Sequence, residues 1–294
     1  MLRIGIDLGG TKTEGIVMDE AGKILFRERR PTPQADGYDA ILKNIHSIVG
    51  DLENKSGQSC SVGIGTPGAI STRTGLLKNS NTQCLNGRPL QSDMEKILAR
   101  PVRIANDANC FALSEALDGA GQGANVVFGV ILGTGVGGGL VFHKALHEGL
   151  HHIAGEWGHN VLEPDGPSCY CGKRGCVETF LSGPGLARDY ATQTGTTLDT
   201  RTIVMRASEG DRQAEAAMQR YLDRFGRALA VVINILDPDV IVLGGGMSNI
   251  ARLYTEGRQH LEHYVFNDEL RTRILSHVHG DSSGVRGAAR LWPI

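Results

Sequence analysis

The chain has 294 residues, with 30 Lys and Arg against 32 Asp and Glu and a formal net charge of -2, so no basic surplus draws it to nucleic acid or an anionic membrane. That length accommodates one large or two medium domains, and two lobes are expected. No stretch reaches the ~18 uninterrupted apolar residues of a membrane span, and the N-terminus enters a strand pattern instead of a basic, then apolar, signal segment, which points to a cytoplasmic protein acting on a small diffusible partner.

Alternating or apolar runs at 2–8, 14–18 and 24–29, broken by turn signals at Gly9-Gly10 and Glu20-Ala21-Gly22, predict a β-meander. A helix follows over 38–52, then a strand at 62–64, a loop through Thr66-Pro67-Gly68 and a helix over 89–98. A strand at 102–105 runs into Asn106-Asp107, where Asp107 is placed to cap a helix over 108–117. The plan restarts at 125: strands at 126–132 and 139–142 flank a second glycine turn, a duplication of fold without repeated sequence. Beyond lie a cysteine-rich loop at 168–178, a long helix over 212–236, a buried strand at 240–243, a helix after Ser248 and a closing helix over 284–291. The first lobe is therefore read as 1–118 joined by a terminal helix at 283–294, and the second as 119–282, with a hinge near 119–123. A mixed sheet flanked by helices makes the fold class α/β.

Glycine is the compositional surplus, 40 residues concentrated in three turns. In Asp7-Leu8-Gly9-Gly10-Thr11-Lys12-Thr13, a strand ends on a carboxylate and a tight turn offers bare N–H groups beside hydroxyls and an ammonium, which suits phosphate; a plain Gly-Gly hairpin is the competing reading. Gly133-Thr134-Gly135-Val136-Gly137-Gly138-Gly139 formally contains a dinucleotide fingerprint, but that needs a helix directly after the glycines, and Leu140-Val141-Phe142 reads as a strand. Gly244-Gly245-Gly246 sits between a strand and the next helix, where an adenine or ribose could rest, or where an ordinary turn would do.

A phosphate donor needs an acceptor activated by a carboxylate, and Asp107, beside Asn106 at a strand–helix junction, is the candidate base, although an N-cap alone would also explain it. The sharpest local signal is His159 with Cys169-Tyr170-Cys171-Gly172-Lys173-Arg174-Gly175-Cys176, one imidazole and three thiols that suit a closed, structural zinc site better than a disulfide or redox pair. Glu156 and Glu178 bracket it and would be pinned where they can hydrogen-bond sugar hydroxyls, unless Glu178 merely opens a helix and Glu156 is solvated.

The segments Ile6 to Glu14, Gly65-Thr66-Pro67-Gly68, Ala105-Asn106-Asp107-Ala108-Asn109, Gly133 to Gly139, Gly155-Glu156-Trp157-Gly158-His159 and Cys169 to Glu178 together resemble the ROK family of bacterial sugar kinases, repressors and related proteins. The resemblance implies a two-lobed actin-like ATPase (ribonuclease H-like) fold with a ligand cleft between the lobes. It implies Asp107 as catalytic base, with Gly68, Asn106, Glu156, His159 and Glu178 on the sugar. Asp7, Gly9, Gly10, Thr11, Lys12, Thr13, Gly133, Thr134, Gly135, Gly244, Gly245 and Gly246 would serve ATP and Mg2+, Asp7 near the metal through water. His159 would serve twice, one ring nitrogen on Zn2+ and the other towards the sugar, with Cys169, Cys171 and Cys176 as the remaining ligands. A homodimer that takes a hexose and MgATP, in the kinase branch, is the expectation, since no helix-turn-helix precedes the first strand. Lys78-Asn79-Ser80-Asn81, Leu85-Asn86-Gly87 and the stretch from Asn234 to Ser248 are similar to bacterial fructokinases of the mannokinase type, making D-fructose the first expected acceptor, mannose or glucose possible ones. N-acetylglucosamine kinases of the same family share the stretch from Ala105 to Glu115 and are the alternative; a sugar-responsive regulator without catalysis is the alternative of a different class.

Overall fold

A computed structural model describes residues 1–292, so the last two positions of the expected terminal helix lie outside the described residues. In chain order the first elements are β1 Arg3–Leu8, β2 Lys12–Met18, β3 Ile24–Pro31, α1 Tyr38–Ser56, β4 Ser61–Thr66, the short pair β5 Ala69–Ile70 and β6 Leu77–Lys78, α2 Leu90–Leu98, β7 Val102–Asn106 and α3 Asp107–Asp118. There follow β8 Val126–Leu132, β9 Val136–Phe142, β10 Ala145–His147, α4 Glu178–Leu181, α5 Gly183–Thr194, α6 Thr200–Ser208 and α7 Arg212–Leu236. The chain closes with β11 Val240–Gly244, α8 Glu256–Tyr264, β12 Arg273–Ser276 and α9 Ser283–Arg290. It divides into two compact units, one of Met1–Gln122, Gly139–Ala154 and the described residues from Val278, the other of Gly123–Gly138 and Gly155–His277.

The first unit is built on a sheet of order β3-β2-β1-β4-β7, in which β1 runs antiparallel to β2 and parallel to β4, and β4 parallel to β7. Alternation along β1 turns Ile4, Ile6 and Leu8 into one core, shared with the Ile41, Ile45, Ile48 and Leu52 stripe of α1 and with Leu90 and Met94 of α2. The other face carries no side chain at Gly5 and Gly63, and α9 uses the space. A Cβ on Gly5 would lie 2.1 Å from the Val285 carbonyl oxygen, and one on Gly63 1.9 Å from that of Ala288. Helix α9 therefore lies directly on the backbone of β1 and β4, which no larger residue at either glycine would allow.

Gly139–Ala154, which the sequence reading places within 119–282, groups with the first unit. There β10 folds back on the end of β9 through Ala145↔Phe142, and a Cβ on Gly139 would lie 2.7 Å from the Ala108 carbonyl oxygen of α3.

In the second unit β9, β8, β11 and β12 are adjacent in that order, with β8, β11 and β12 mutually parallel. Asp211 caps α7, its side chain accepting from the N–H groups of Gln213 and Ala214, and the helix buries Met218, Tyr221, Leu222, Phe225 and Leu229. A strand, not a helix, follows the Gly133 turn, so the requirement of a dinucleotide fold is not met. The helix expected after Ser248 is α8, which starts at Glu256 after single 3-10 turns at Gly246–Asn249 and Ala251–Leu253. Ser248 Oγ donates to the Gly245 carbonyl at 2.7 Å and Asn249 Nδ2 to that of Gly246 at 3.1 Å, side-chain bonds that compete with helical ones. Among the described residues no helix is long and apolar enough to cross a membrane.

Candidate active site and metal centre

In the first unit the parallel strands β1, β4 and β7 end together, through Asp7↔Gly65 and Thr66↔Asn106, so Asp7 and the Asn106-Asp107 junction share the carboxyl edge of the sheet. Asp107 is the first residue of α3 but not its cap: the cap is Asn106, whose Oδ1 accepts from the Ala108 N–H at 2.9 Å. Asp107 Oδ1 accepts from the same N–H at 2.8 Å. Asn106 Nδ2 donates to the Gly68 carbonyl at 3.1 Å, so its amide is engaged at both ends in fixing the Thr66-Pro67-Gly68 loop to the helix start. Gly68 has φ of 84°, and a Cβ there would meet the Lys78 carbonyl oxygen at 2.3 Å.

Burial, then the nearby charge of Asp107 and that of Glu14, pushes the Asp7 carboxyl up to about 7. The Gly9 turn is closed by the Gly9 N–H donating to Lys12 O at 3.0 Å. It leaves Thr11 exposed and Lys12 half-buried. Thr13, expected in the phosphate set, is fully buried, and its hydroxyl lies 2.8 Å from that of Thr32, which itself donates to the Gly9 carbonyl at 2.7 Å. Strand alternation turns it inward, away from the turn's open side.

In the second unit Trp157 anchors the segment carrying Glu156 and His159, packing edge-on against Phe128 at 5.8 Å and donating from Nε1 to Gly137 O at 3.3 Å. The cysteine loop is laced to it by the Val161↔Cys176 bridge and by the Val177 N–H on Asn160 O at 2.9 Å. His159, Cys169, Cys171 and Cys176 present one ligand atom each, all within 4.8 Å of one another. Cys169 Sγ is 3.5 Å from His159 Nδ1 and Cys171 Sγ 3.6 Å from Cys176 Sγ. Those are near the edges of a tetrahedron around a zinc ion, roughly 3.7 Å for zinc–sulfur bonds of about 2.3 Å. Burial holds the Cys176 thiol up at about 12, a penalty on the thiolate that a bound cation would relieve. The donor set thus fits zinc. It is braced from behind by Glu163, which pairs with Arg224 at 2.8 Å and Arg227 at 2.6 Å of α7.

His159 Nε2, the nitrogen expected to face a sugar, is 3.1 Å from the Tyr170 hydroxyl. Tyr170 escapes the sequence reading because nothing marks a tyrosine between two cysteines except the folded loop. Partial desolvation and then the charges of Glu178 and Glu156 push its hydroxyl up to about 12, which puts both carboxylates in its surroundings. Glu178 does open a helix, α4, and its Oε2 accepts from the Val136 N–H at 3.0 Å, while Oε1 lies 4.0 Å from Cys169 Sγ. It ties the cysteine loop to the glycine turn at Gly133, Thr134 and Gly135.

That turn also accepts, at Gly133 O, from the Gly183 N–H of α5 at 2.8 Å. Its neighbour is the Gly244 turn, because β11 pairs with β8 through Gly244↔Ile131. Gly245 has φ of 80°, and a Cβ there would lie 2.4 Å from the Leu132 carbonyl oxygen; Gly246 and Gly133 have nothing within 4 Å of a Cβ. Two glycine turns at the carboxyl ends of adjacent parallel strands, next to the Ser182-capped start of α5, offer bare N–H groups suited to a nucleotide. Sequence periodicity misses α5 altogether, although the Ser182-Gly183-Pro184 start is a legible cap.

Comparison with known proteins finds relatives along the whole chain. The model of the ROK family covers residues 3–294. An N-acetyl-D-glucosamine kinase of Escherichia coli O127:H6 is 40% identical over 297 aligned positions, spanning 98% of each chain. Among solved structures, a ROK hexokinase from Thermus thermophilus superposes with a TM-score of 0.90 at 32% identity, over 98% of this chain and 97% of that one. A ROK family glucokinase from Streptomyces griseus in complex with glucose and AMPPNP gives 0.79 at 30% identity over 99% of both. On its sequence and on its fold, the chain belongs to the ROK family.

Proposed function

We propose that this protein is an ATP-dependent sugar kinase that transfers the γ-phosphoryl group of ATP to a hexose hydroxyl. The observation that carries the reading is the pair Asp7 and Asp107, carboxyls at one sheet edge close enough that the charge of Asp107 helps raise Asp7 to about 7, in a chain aligned end to end with sugar kinases. Asp107 takes the role of base, orienting the acceptor hydroxyl and receiving its proton late in a loose transition state. Asn106 and Gly68, joined to each other by a hydrogen bond, and Glu156, His159 and Glu178 are the residues proposed to bind the sugar. The Gly9 to Lys12 turn, the Gly133 to Gly135 turn and the Gly244 to Gly246 turn hold the nucleotide. Asp7 fits a magnesium ion held through water, which would neutralise charge on the phosphates. The four-donor cluster would hold zinc as a structural ion that fixes the imidazole of His159.

N-acetylglucosamine is the acceptor proposed first, because the curated relatives at 40% identity over 98% of the chain carry that activity in their names, whereas the fructokinase likeness rests on shorter motifs. D-fructose is the second reading. A coupled ADP-release assay with MgATP and N-acetylglucosamine, fructose, glucose, mannose and N-acetylmannosamine tests both. The expected result is turnover with N-acetylglucosamine leading by kcat/KM; fructose in the lead would reverse the acceptor order, and no turnover on any sugar would overturn the kinase.

A further inference from the structure

Away from the groups just described, the first unit carries a half-open cavity of about 660 Å³ lined by Arg3, Arg103, Lys144 and Arg290 and by one carboxylate, Glu148. Its apolar wall includes Ile104, Leu113, Leu117, Leu146 and Trp292. Arg3 opens β1 and Asp7 stands near the other end of the same strand, roughly 13 Å away at 3.3 Å per residue.

The charges do not balance. Arg3 is only 2% exposed, and its Nη1 has no hydrogen-bond partner among the described residues; the Nε atoms of Arg286 and Arg290 are likewise unpartnered there. Among the described residues Asp118 is the one ion-pair partner of Arg286, at 2.5 Å, and of Arg290, at 2.6 Å, and it also faces His279 Nε2 at 3.0 Å. Arg103 donates to the Leu291 carbonyl at 2.6 Å and lies 4.5 Å over the Trp292 ring, neither an anion. Burial, then repulsion from Arg290, lowers the pKa of Arg3, and the attraction of the Glu20 carboxylate offsets this only in part. Leaving a buried guanidinium unanswered is costly, and a site that keeps one is organised for an anion.

We propose that this cavity binds a small organic phosphate monoester, its dianion against Arg3 and Arg290 and its apolar body against Leu113 and Trp292. The four lining cations and Arg286 are set against three carboxylates, Glu148, Asp118 and Glu20, which leaves two charges and matches a phosphate dianion better than a single carboxylate. Thermal unfolding of the full chain with excess phenyl phosphate or inorganic phosphate tests it, on the wild type, Arg3→Met and Asp107→Asn. Phenyl phosphate is expected to raise Tm by about 2–4 °C in the wild type and in Asp107→Asn, inorganic phosphate by less, and neither to act on Arg3→Met. Should Arg3→Met not fold, Lys144→Met at the exposed rim carries the same comparison with a reduced shift. An unchanged shift in the arginine or lysine variant, loss of the shift in Asp107→Asn, or no shift in the wild type would overturn the site, and an equal shift with inorganic phosphate would overturn the organic ligand.

Discussion

Asp7 lies near the end of β1 and Asp107 opens the helix after β7, and the charge of Asp107 reaches the Asp7 carboxyl. The consequence for stability has a definite sign. In the unfolded chain Asp7 titrates near 3.8, in the folded one near 7, so between those values the folded state binds the extra proton and stability falls as pH rises. Asp7→Asn is therefore expected to be no more stable than the wild type near pH 4 and more stable by up to about 4 kcal/mol at pH 8, in metal-free and nucleotide-free urea unfolding. A pH-independent difference would contradict the assignment. At this scale the sequence discloses residue types and spacing but not which way a side chain turns. Asp7, Asp107 and His159 stand out in the sequence as candidates; Thr13 was not legible as an inward-facing residue, nor Asn106 as a residue whose amide the fold itself uses, because both depend on partners distant in sequence.

Elements with a long apolar period declare themselves. The stripe of α1, the 25 residues of α7 and the opening meander all follow from local pattern. By contrast β10 and β12 are three and four residues long, too short for a period, and take their conformation from the strands beside them. Glu115 on α3 is the clearest case of a role hidden by chain distance: fully buried, it accepts from the N–H groups of Val278 at 3.0 Å and His279 at 3.2 Å and from Ser283 Oγ at 2.8 Å, seating the start of α9. Glu115→Ala leaves those donors unanswered and is expected to cost about 3–5 kcal/mol in equilibrium unfolding; a loss under about 1 kcal/mol would show that the carboxylate does not seat the helix. The cysteine loop, legible as a candidate metal site from residue type and spacing, is held by backbone bonds and Glu163, and its four donors converge within 4.8 Å of one another. Purified protein is expected to carry about one zinc per chain by elemental analysis, and Cys176→Ser to lose it together with most sugar affinity while ATP binding persists. Metal-free protein with unaltered sugar binding would refute that role.

For the whole molecule, the chain passes between its two units after Gln122, Gly138, Ala154 and His277, so neither unit is a contiguous stretch of sequence. A linear reading finds the restart near 125 but not the return of Gly139–Ala154, because that return is made by packing against α3 and not by any local signal. Family membership covers residues 3–294 and so takes in the sequence of both units. The decisive measurement is steady-state turnover of Asp107→Asn with MgATP and N-acetylglucosamine, paired with calorimetric sugar binding. If Asp107 is the base, kcat falls by about 10²–10⁴-fold while sugar affinity changes by less than about tenfold; turnover within about tenfold of wild type would contradict the account.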